Sequence, residues 1–423
     1  MSSLLIFIGL LLVLLVLRVP IFISLAMSAM GLGVIKFDDP YLAFVVQKMF
    51  SGADNLTLMA IPLFMLTGDL MNNGGMSKRL IDFSNCCVGW IRGGLGFVTV
   101  MTCCFLAAIL GSSSACAAIV AAILIPAMVK RGYDLEFAGA LTAASGGIGP
   151  IIPPSATALI YAVAASQSVK ELFIAGYVPG VMIAAGFMLY TYYVARKKGY
   201  PAEPKPTVKS FFTALKSAII PLMLPIIIMG GIVSGIFTAT ESAVVAVLYC
   251  VFVSVFLYKE IKVKDLPKSL MNSAKMSCIV LAVMTTANFL GYIMTLSQIP
   301  QATTAAITSF TESPIVFLLM INVILIFAGM FLDAACAIVI LVPVLLPAAL
   351  ALGVDPVFFG VMMTVNLMIG VLTPPVGLNL YVVSSISDIN ILRLSKAVLP
   401  FIFIMIVVLL IMVFFPQTVT FLL

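Results

Sequence analysis

Two kinds of interruption break the apolar runs of this sequence, and each occurs twice. The first is a polar turn, Gly111-Ser112-Ser113-Ser114 in one place and Gly329 to Asp333 in another. Consecutive serines end a helix readily, because their hydroxyls compete for backbone groups. A hairpin tip of this kind presents free carbonyls and hydroxyls, the oxygen ligands that hard cations take. The second is a Gly/Pro break, Gly146 to Pro154 and Gly370 to Pro375. Proline removes a backbone donor and clashes with the preceding turn, so two adjacent prolines break a helix. Unwound carbonyls at membrane depth coordinate Na⁺, and half-helix N-termini face anionic groups. Pairing each tip with its break predicts two pseudo-symmetric cation sites with an anion between them. The cation candidates are Ser112, Ser113, Ser114, Gly147, Gly149, Pro150 and Ile152 in the first half, and Gly329, Asp333, Gly370, Thr373 and Pro374 in the second. The substrate candidates are Ser145 and Asn366, just before the breaks, and Ser155, Thr157 and Asn379, after them. Helix packing by serine and threonine is the competing explanation. Asp333 is ionisable at an apolar tip, so function is its default reading. For Glu241 and Asp69 a structural hydrogen bond serves equally well.

The elements that must hold these residues are membrane helices. The chain is 63% hydrophobic and 9% charged, where a soluble domain carries roughly 25% charged residues. A bilayer accepts such a surface but requires the backbone to satisfy itself, in helices or closed barrels. Leu4 to Leu17, Ile219 to Ile232 and Phe401 to Phe415 lack barrel alternation and read as helices. At about 20 residues per crossing, the length permits roughly ten to twelve. The first apolar stretch has no basic segment before it and no clear cleavage site, so it reads as a retained helix.

The sequence also repeats itself. Pro126, Gly132, Asp134, Gly139, Gly149, Pro153-Pro154 and Pro179 match Pro347, Gly353, Asp355, Gly360, Gly370, Pro374-Pro375 and Pro400, every pair separated by the same 221 residues (126 to 347, 153 to 374). Lys130 and Arg131 correspond to Ala351 and Leu352, one loop basic and its twin not, which fits copies inverted across the membrane. The predicted fold is therefore an all-α polytopic membrane protein of two inverted repeats, each with a re-entrant helical hairpin and a discontinuous helix. The first repeat covers 1–195, with its hairpin at about 93–129 and its broken helix at about 134–166. A cytoplasmic linker follows at 196–216. The second repeat covers 217–423, with its hairpin at about 313–351 and its broken helix at about 355–386.

Charge sets the orientation. Arg196, Lys197, Lys198, Lys205 and Lys209 crowd one loop, and Lys259, Lys262, Lys264 and Lys268 another. Both belong on the cytoplasmic side by the positive-inside rule. Two apolar segments, near 217–236 and 240–257, separate them, as same-side loops require. Extending the parity outward places both termini in the periplasm. Arg92 to Lys130 then begins and ends on one side, as two crossings or as a re-entrant hairpin.

Several classes are excluded. The chain has no histidine, which removes histidine triads, histidine zinc sites and histidine proton relays. It has no Gly-Lys pair and so no P-loop, which excludes nucleotide hydrolysis of its own. None of the eight cysteines forms a CxxC, and small buried hydrophobes describe them best. The net charge of +6 lies between apolar runs, which points to loops rather than nucleic acid. The scattered carboxylates offer no acid/base pair, which argues against an enzyme.

At these residues the chain resembles the large membrane (M) subunit of tripartite ATP-independent periplasmic (TRAP) transporters, the DctM-like family. The resemblance is carried by Ala60-Ile61-Pro62, Asn73 to Leu80, Gly89 to Leu95, Ile125-Pro126-Ala127-Met128, Ile148 to Ser155 and Leu372 to Gly377, and it covers essentially the whole chain. It implies an elevator-type architecture of the ion-transporter superfamily, in which a mobile domain contains both hairpins and both broken helices. It further implies a separate small membrane subunit (Q type), a periplasmic substrate-binding protein (P type) that delivers the solute, and a Na⁺ gradient that drives uptake across a bacterial cytoplasmic (inner) membrane. Family solutes are small carboxylates such as C4-dicarboxylates, sialic acids and other sugar acids. One departure stands out: an acidic residue is expected soon after the serine tip, and Cys116 stands near that place. The alternative within the same fold is a binding-protein-independent carrier coupled to Na⁺ or H⁺. An ion channel is a further alternative, which closed hairpins argue against.

Overall fold

The computed structural model describes residues 2–36 and 43–423, and every regular element among them is a helix. The chain opens with α1 (Ser2–Val16), α2 (Ile21–Lys36), α3 (Ala43–Ala53), α4 (Ala60–Asn73) and α5 (Met76–Val88). The first hairpin is α6 (Gly94–Leu110) and α7 (Ser113–Lys130), followed by a split helix, α8 (Leu135–Gly146) and α9 (Ala156–Ala165), and by the long α10 (Val169–Lys198). After α11 (Val208–Val233), α12 (Ala239–Val251), α13 (Leu266–Leu296) and α14 (Ile299–Phe310), the plan recurs. A hairpin, α15 (Pro314–Phe331) and α16 (Ala334–Ala351), precedes a split helix, α17 (Pro356–Val371) and α18 (Leu378–Ser387), and then α19 (Ile391–Phe414) and α20 (Gln417–Thr420). Among the described residues eight helices are long and apolar enough to cross a bilayer, and α3 with α4, bent by 55° at their junction, make a ninth if they are taken as one span.

Local chemistry explains why the helices start where they do. Ser112, Ser155 and Asp333 stand in extended conformation ahead of α7, α9 and α16, and each side chain accepts a hydrogen bond from the first turn behind it. These are N-caps, which satisfy backbone N–H groups that the helix itself leaves free. The polar turn thus both ends one hairpin arm and begins the next. Glu241 has the same kind of role: with Thr238 it forms a reciprocal capping box at the start of α12. Asp69 accepts from Asn73 Nδ2 one turn on, at 3.0 Å.

The linker expected at 196–216 is shorter. Arg196, Lys197 and Lys198 belong to the last turn of α10, where cations favour the free carbonyls. α11 begins at Val208 behind a Thr207 cap, so only 199–207 is irregular. This segment is strapped to the base of the first hairpin: Gly93 N–H donates to the Pro201 carbonyl and Glu203 N–H to the Gly89 carbonyl. The Arg131–Glu203 ion pair ties it to the end of α7, and Lys198–Asp134 joins the end of α10 to the start of α8.

Two groups of helices pack around this frame. α13 gathers α2, α3 and α4, while α11 and α12 lie on α5 and α4. In the second group α8 and α17 are innermost. Every α17 residue from Val357 to Val371 is buried, as is every α8 residue from Phe137 to Gly146. The two repeats exchange partners here. α9 of the first packs on α16 of the second, and α18 of the second on α7 of the first. The Tyr161 ring of α9 lies against Gly360 of α17, and its hydroxyl donates to the Pro356 carbonyl at 2.6 Å. The repeat-equivalent Gly139 of α8 receives Val383, Ile389 and Leu394 from the second half.

Candidate functional site

The first hairpin tip meets the first break directly. A methyl group placed on Gly146 would come within 2.9 Å of the Ser113 carbonyl, and one on Gly149 within 3.6 Å of the Ser112 carbonyl. Gly146 to Ser155 are all buried, and the Pro153–Pro154 and Pro374–Pro375 bonds are both cis. As α8 unwinds, Gly147 N–H turns to the Ala144 carbonyl at 2.9 Å, and Gly149 N–H to that of Gly146 at 3.0 Å. The carbonyls of Gly147 and Gly149 accept no backbone hydrogen bond from the described residues. Gly147 N–H, so engaged, is no longer available to the Ala143 carbonyl, its partner in a continuing helix.

That carbonyl is taken by the other repeat. Asn379, fully buried at the start of α18, donates from Nδ2 to the Ala143 carbonyl at 3.1 Å and accepts from the Ser113 hydroxyl at 3.1 Å. One amide therefore ties together the first tip, the broken end of α8 and the second split helix.

The second tip approaches its own break through a glycine pair. A Cβ on Gly370 would lie 2.5 Å from Gly329 Cα, so neither position tolerates a side chain without separating α15 from α17. Beyond that contact the second tip turns toward the first. Gly111, Ser112, Ser113 and Ser114 line a cavity of about 80 Å³ together with Asp333, Ala334 and Ala335; Pro150, Thr157, Ile160, Met65 and Val280 also line it. Ser112 Oγ and Ser114 Oγ stand 3.4 Å apart at its edge. The volume is well below the several hundred Å³ of a typical ligand pocket. It suits an ion with a little water, or the charged end of a solute.

The structure thus gathers Ser112, Ser113, Ser114, Pro150, Thr157 and Asp333 around one space, with Gly147, Gly149 and Ile152 buried behind it in the first break. Other candidates lie elsewhere. Thr373 and Pro374 do not line this cavity; the Thr373 hydroxyl donates back to the Ile369 carbonyl at 2.7 Å, and Pro374 to Val376 are exposed. The two breaks differ in exposure: Gly146 to Ser155 are buried, whereas Pro374 to Val376 are open. Ser145 is buried with an unpartnered hydroxyl. Asn366 is buried against Asn322, donating to its carbonyl at 3.0 Å and its Oδ1 at 2.7 Å. Ser155 is committed to its cap and to the Pro150 carbonyl.

Asn322 was not singled out in the sequence, although a lone amide in the apolar run Ile315 to Phe331 is the kind of intramembrane polar residue that marks an interior partner. Asn322 Nδ2 and Asn366 Oδ1 keep unused hydrogen-bonding capacity in this buried place.

Comparison with known proteins places this geometry in context. The family model described as "Tripartite ATP-independent periplasmic transporter, DctM component" matches residues 8–418. The chain is 39% identical over 393 residues to the C4-dicarboxylate TRAP transporter large permease protein DctM of Pseudomonas aeruginosa, covering 93% of this chain and 92% of that one. It is 41% identical over 403 residues to the isethionate TRAP transporter permease protein DctMQ of Oleidesulfovibrio alaskensis, covering 95% of this chain and 63% of that longer protein. In fold it is similar to the crystal structure of the Alcanivorax borkumensis YdaH transporter, with a TM-score of 0.65 at 14% identity, covering 93% of this chain and 96% of that one.

Proposed function

The chain belongs to the DctM family of tripartite ATP-independent periplasmic transporters, and on that premise we propose that it carries a small organic anion inward across the bacterial inner membrane, driven by Na⁺. In this reading a periplasmic binding protein delivers the solute and a small membrane subunit completes the complex. The relatives' substrates, a C4-dicarboxylate and the sulfonate isethionate, set the chemical range: small anions with a carboxylate or sulfonate group.

The observation that carries the reading is the cavity between the two hairpin tips. It collects the Ser112 and Ser114 hydroxyls and the Asp333 carboxylate at membrane depth, backed by carbonyls that the broken α8 leaves free. Oxygen donors of this kind replace the water around a hard monovalent cation. The substrate carboxylate or sulfonate then sits beside bound Na⁺, with Thr157 as its nearest hydroxyl from the first break. Movement of the body built on α6 to α9 and α15 to α18 against α2 to α4 and α11 to α13 supplies alternating access, an elevator stroke. One charge crossing 100 mV is worth about 2.3 kcal/mol, so two or more Na⁺ accompanying a monoanion give a net inward driving force without nucleotide.

The test is uptake by proteoliposomes holding the large permease, the small subunit and the binding protein. A Na⁺ gradient is expected to drive accumulation of solute. Absence of accumulation, or accumulation indifferent to Na⁺, overturns the coupling. Accumulation without the binding protein removes the delivery step.

A further inference from the structure

A second cavity, of about 560 Å³, lies one helical turn beyond the tip cavity. The register shows it on three helices: the lining passes from Ile160 to Val163 on α9, from Val280 to Met284 on α13, and from Ala335 to Val339 on α16. A turn rises about 5.4 Å, so the spaces are stacked, the small one between the tips and the larger one leading away from it. α3 and α13 form one wall, and the end of α9 with the middle of α16 the other.

Charge gives the direction. α13 begins behind Lys262 and Lys264, and α10 ends in Arg196, Lys197 and Lys198. The positive-inside rule puts both of these ends in the cytoplasm. The cavity takes the opposite ends, Tyr292 near the close of α13 and Ser166 just ahead of α10. These helices have 31 and 30 residues, about 45 Å each at 1.5 Å per residue, enough to cross a bilayer. The cavity therefore faces the periplasm.

Its chemistry is that of an anion receiver. Among the described residues that line it, Lys48 alone is charged, and its ammonium stands 4.5 Å from the Tyr292 ring centroid. Lys48 is half-buried there. Ser51, Asn55, Asn288 and Ser166 add polar groups around it. Asn55 Oδ1 accepts from Thr57 N–H at 2.9 Å, which leaves the Asn55 amide N–H groups to donate elsewhere. Gly52 lets α3 press close to α13 here: a Cβ on it would fall 2.6 Å from Asn288 Cβ.

We propose that this cavity is the periplasmic vestibule for the transported anion, and that Lys48 captures its carboxylate or sulfonate before it reaches the hairpin tips. The inference rests on the reading of the chain as an anion transporter, but it assigns a site on α3, which carries none of the ion or solute residues named above. Capture by a partly exposed cation acts through local concentration and weakens with ionic strength.

The first test needs no transport. Asn288→Cys in the intact transporter is treated from the periplasmic side with two membrane-impermeant thiol reagents, one anionic (methanethiosulfonate ethylsulfonate) and one cationic (its trimethylammonium counterpart). Rates are normalised to a free thiol, and the background of the native cysteines is subtracted. The anionic reagent is expected to react at least threefold faster, and Lys48→Gln to abolish that preference. No labelling from the periplasm, or a preference indifferent to Lys48→Gln, overturns the proposal. The second test is uptake of succinate, sialic acid and isethionate. For the solute that the wild type accumulates, Lys48→Gln is expected to raise KM at least fivefold and Lys48→Arg to keep it within twofold, with Na⁺ dependence unchanged. KM does not depend on how much variant reaches the membrane, so an unaltered KM overturns capture even if expression falls. If the wild type shows no Na⁺-driven uptake, the coupling proposed above fails, and the thiol rates still decide whether the vestibule selects anions.

Discussion

Asn379→Ala is the perturbation that bears most directly on the tip. The side chain is fully buried and serves two partners, the Ser113 hydroxyl and the Ala143 carbonyl, each at 3.1 Å. Truncation strands both, and a buried polar group left without a partner costs about 1–3 kcal/mol. A hydroxyl can rotate toward another acceptor, which trims the upper end. The arrangement that holds the first tip on α8 then loses about 2–4 kcal/mol. If Na⁺ binds to that arrangement, the loss appears as weaker apparent affinity, tenfold for each 1.4 kcal/mol, or roughly thirtyfold to several hundredfold. The assay is the Na⁺ concentration for half-maximal uptake in proteoliposomes of matched protein content. Ser113→Ala breaks only one of the two bonds and is expected to cost about tenfold. The double variant is expected to fall short of the product of the two, because both remove the same bond. A half-maximal Na⁺ concentration within twofold of wild type for Asn379→Ala would falsify the idea that this amide supports the ion site.

Other outcomes can be checked alongside. Gly370→Ala forces α15 and α17 apart at Gly329, and overpacking of that kind costs about 1–3 kcal/mol. Gly230→Ala, with nothing within 4 Å of the new methyl, is expected to be neutral or to gain up to about 1 kcal/mol; the two melting temperatures of the purified protein test the contrast. Thr373→Ala is expected to weaken Na⁺ activation less than Asn379→Ala, since Thr373 lies off the tip cavity and bonds its own helix. A larger effect would move the second ion to the open break. Asp134 lies outside the spans, and its carboxyl is held below the usual range chiefly by the Lys198 ammonium and then by the Tyr200 hydroxyl. A lowered carboxyl stabilises the fold above its unfolded pKa and loses that contribution as pH falls through its folded value. Asp134→Asn is thus expected to lower thermal stability at pH 7 by under about 1 kcal/mol for so exposed a pair, and the difference is expected to close as pH drops below 3.8. A gap that persists in acid would show that packing, not charge, explains the loss.

Much of this was legible in the residues because prolines and glycines constrain the backbone wherever they occur. The serine tip, the acidic tip and the two Gly/Pro breaks are local statements, and the helices end and begin at them. Which tip faces which break is not local. Asn379 reads as a solute residue from its place after the second break, and its amide also joins Ser113 to Ala143; no spacing rule announces partners so far along the chain. Ser145 and Asn366 share a repeat position, but neither lines the tip cavity; Asn366 is taken up by Asn322, a neighbour 44 residues away that no local pattern announces. The asymmetry between a sealed first break and an exposed second one was likewise invisible, because the repeat signal describes what the halves have in common. Lys48 was missed for a simpler reason: one lysine in an amphipathic helix looks like any snorkelling cation until a cavity is seen beside it.

The exchange of partners between the halves also bears on synthesis. Ser113 and Asn379 are 266 residues apart, and at roughly 5–20 residues per second the ribosome needs about 13–53 s to deliver the second after the first. Through that interval the leading half sits in the lipid with its serine turn unclasped and the frayed end of α8 uncovered. A nascent chain released at the strap of 199–207 would hold one half of an interlocking clasp, which makes the gene poorly suited to functioning as halves expressed alone and well suited to complementation when both are made in the same membrane.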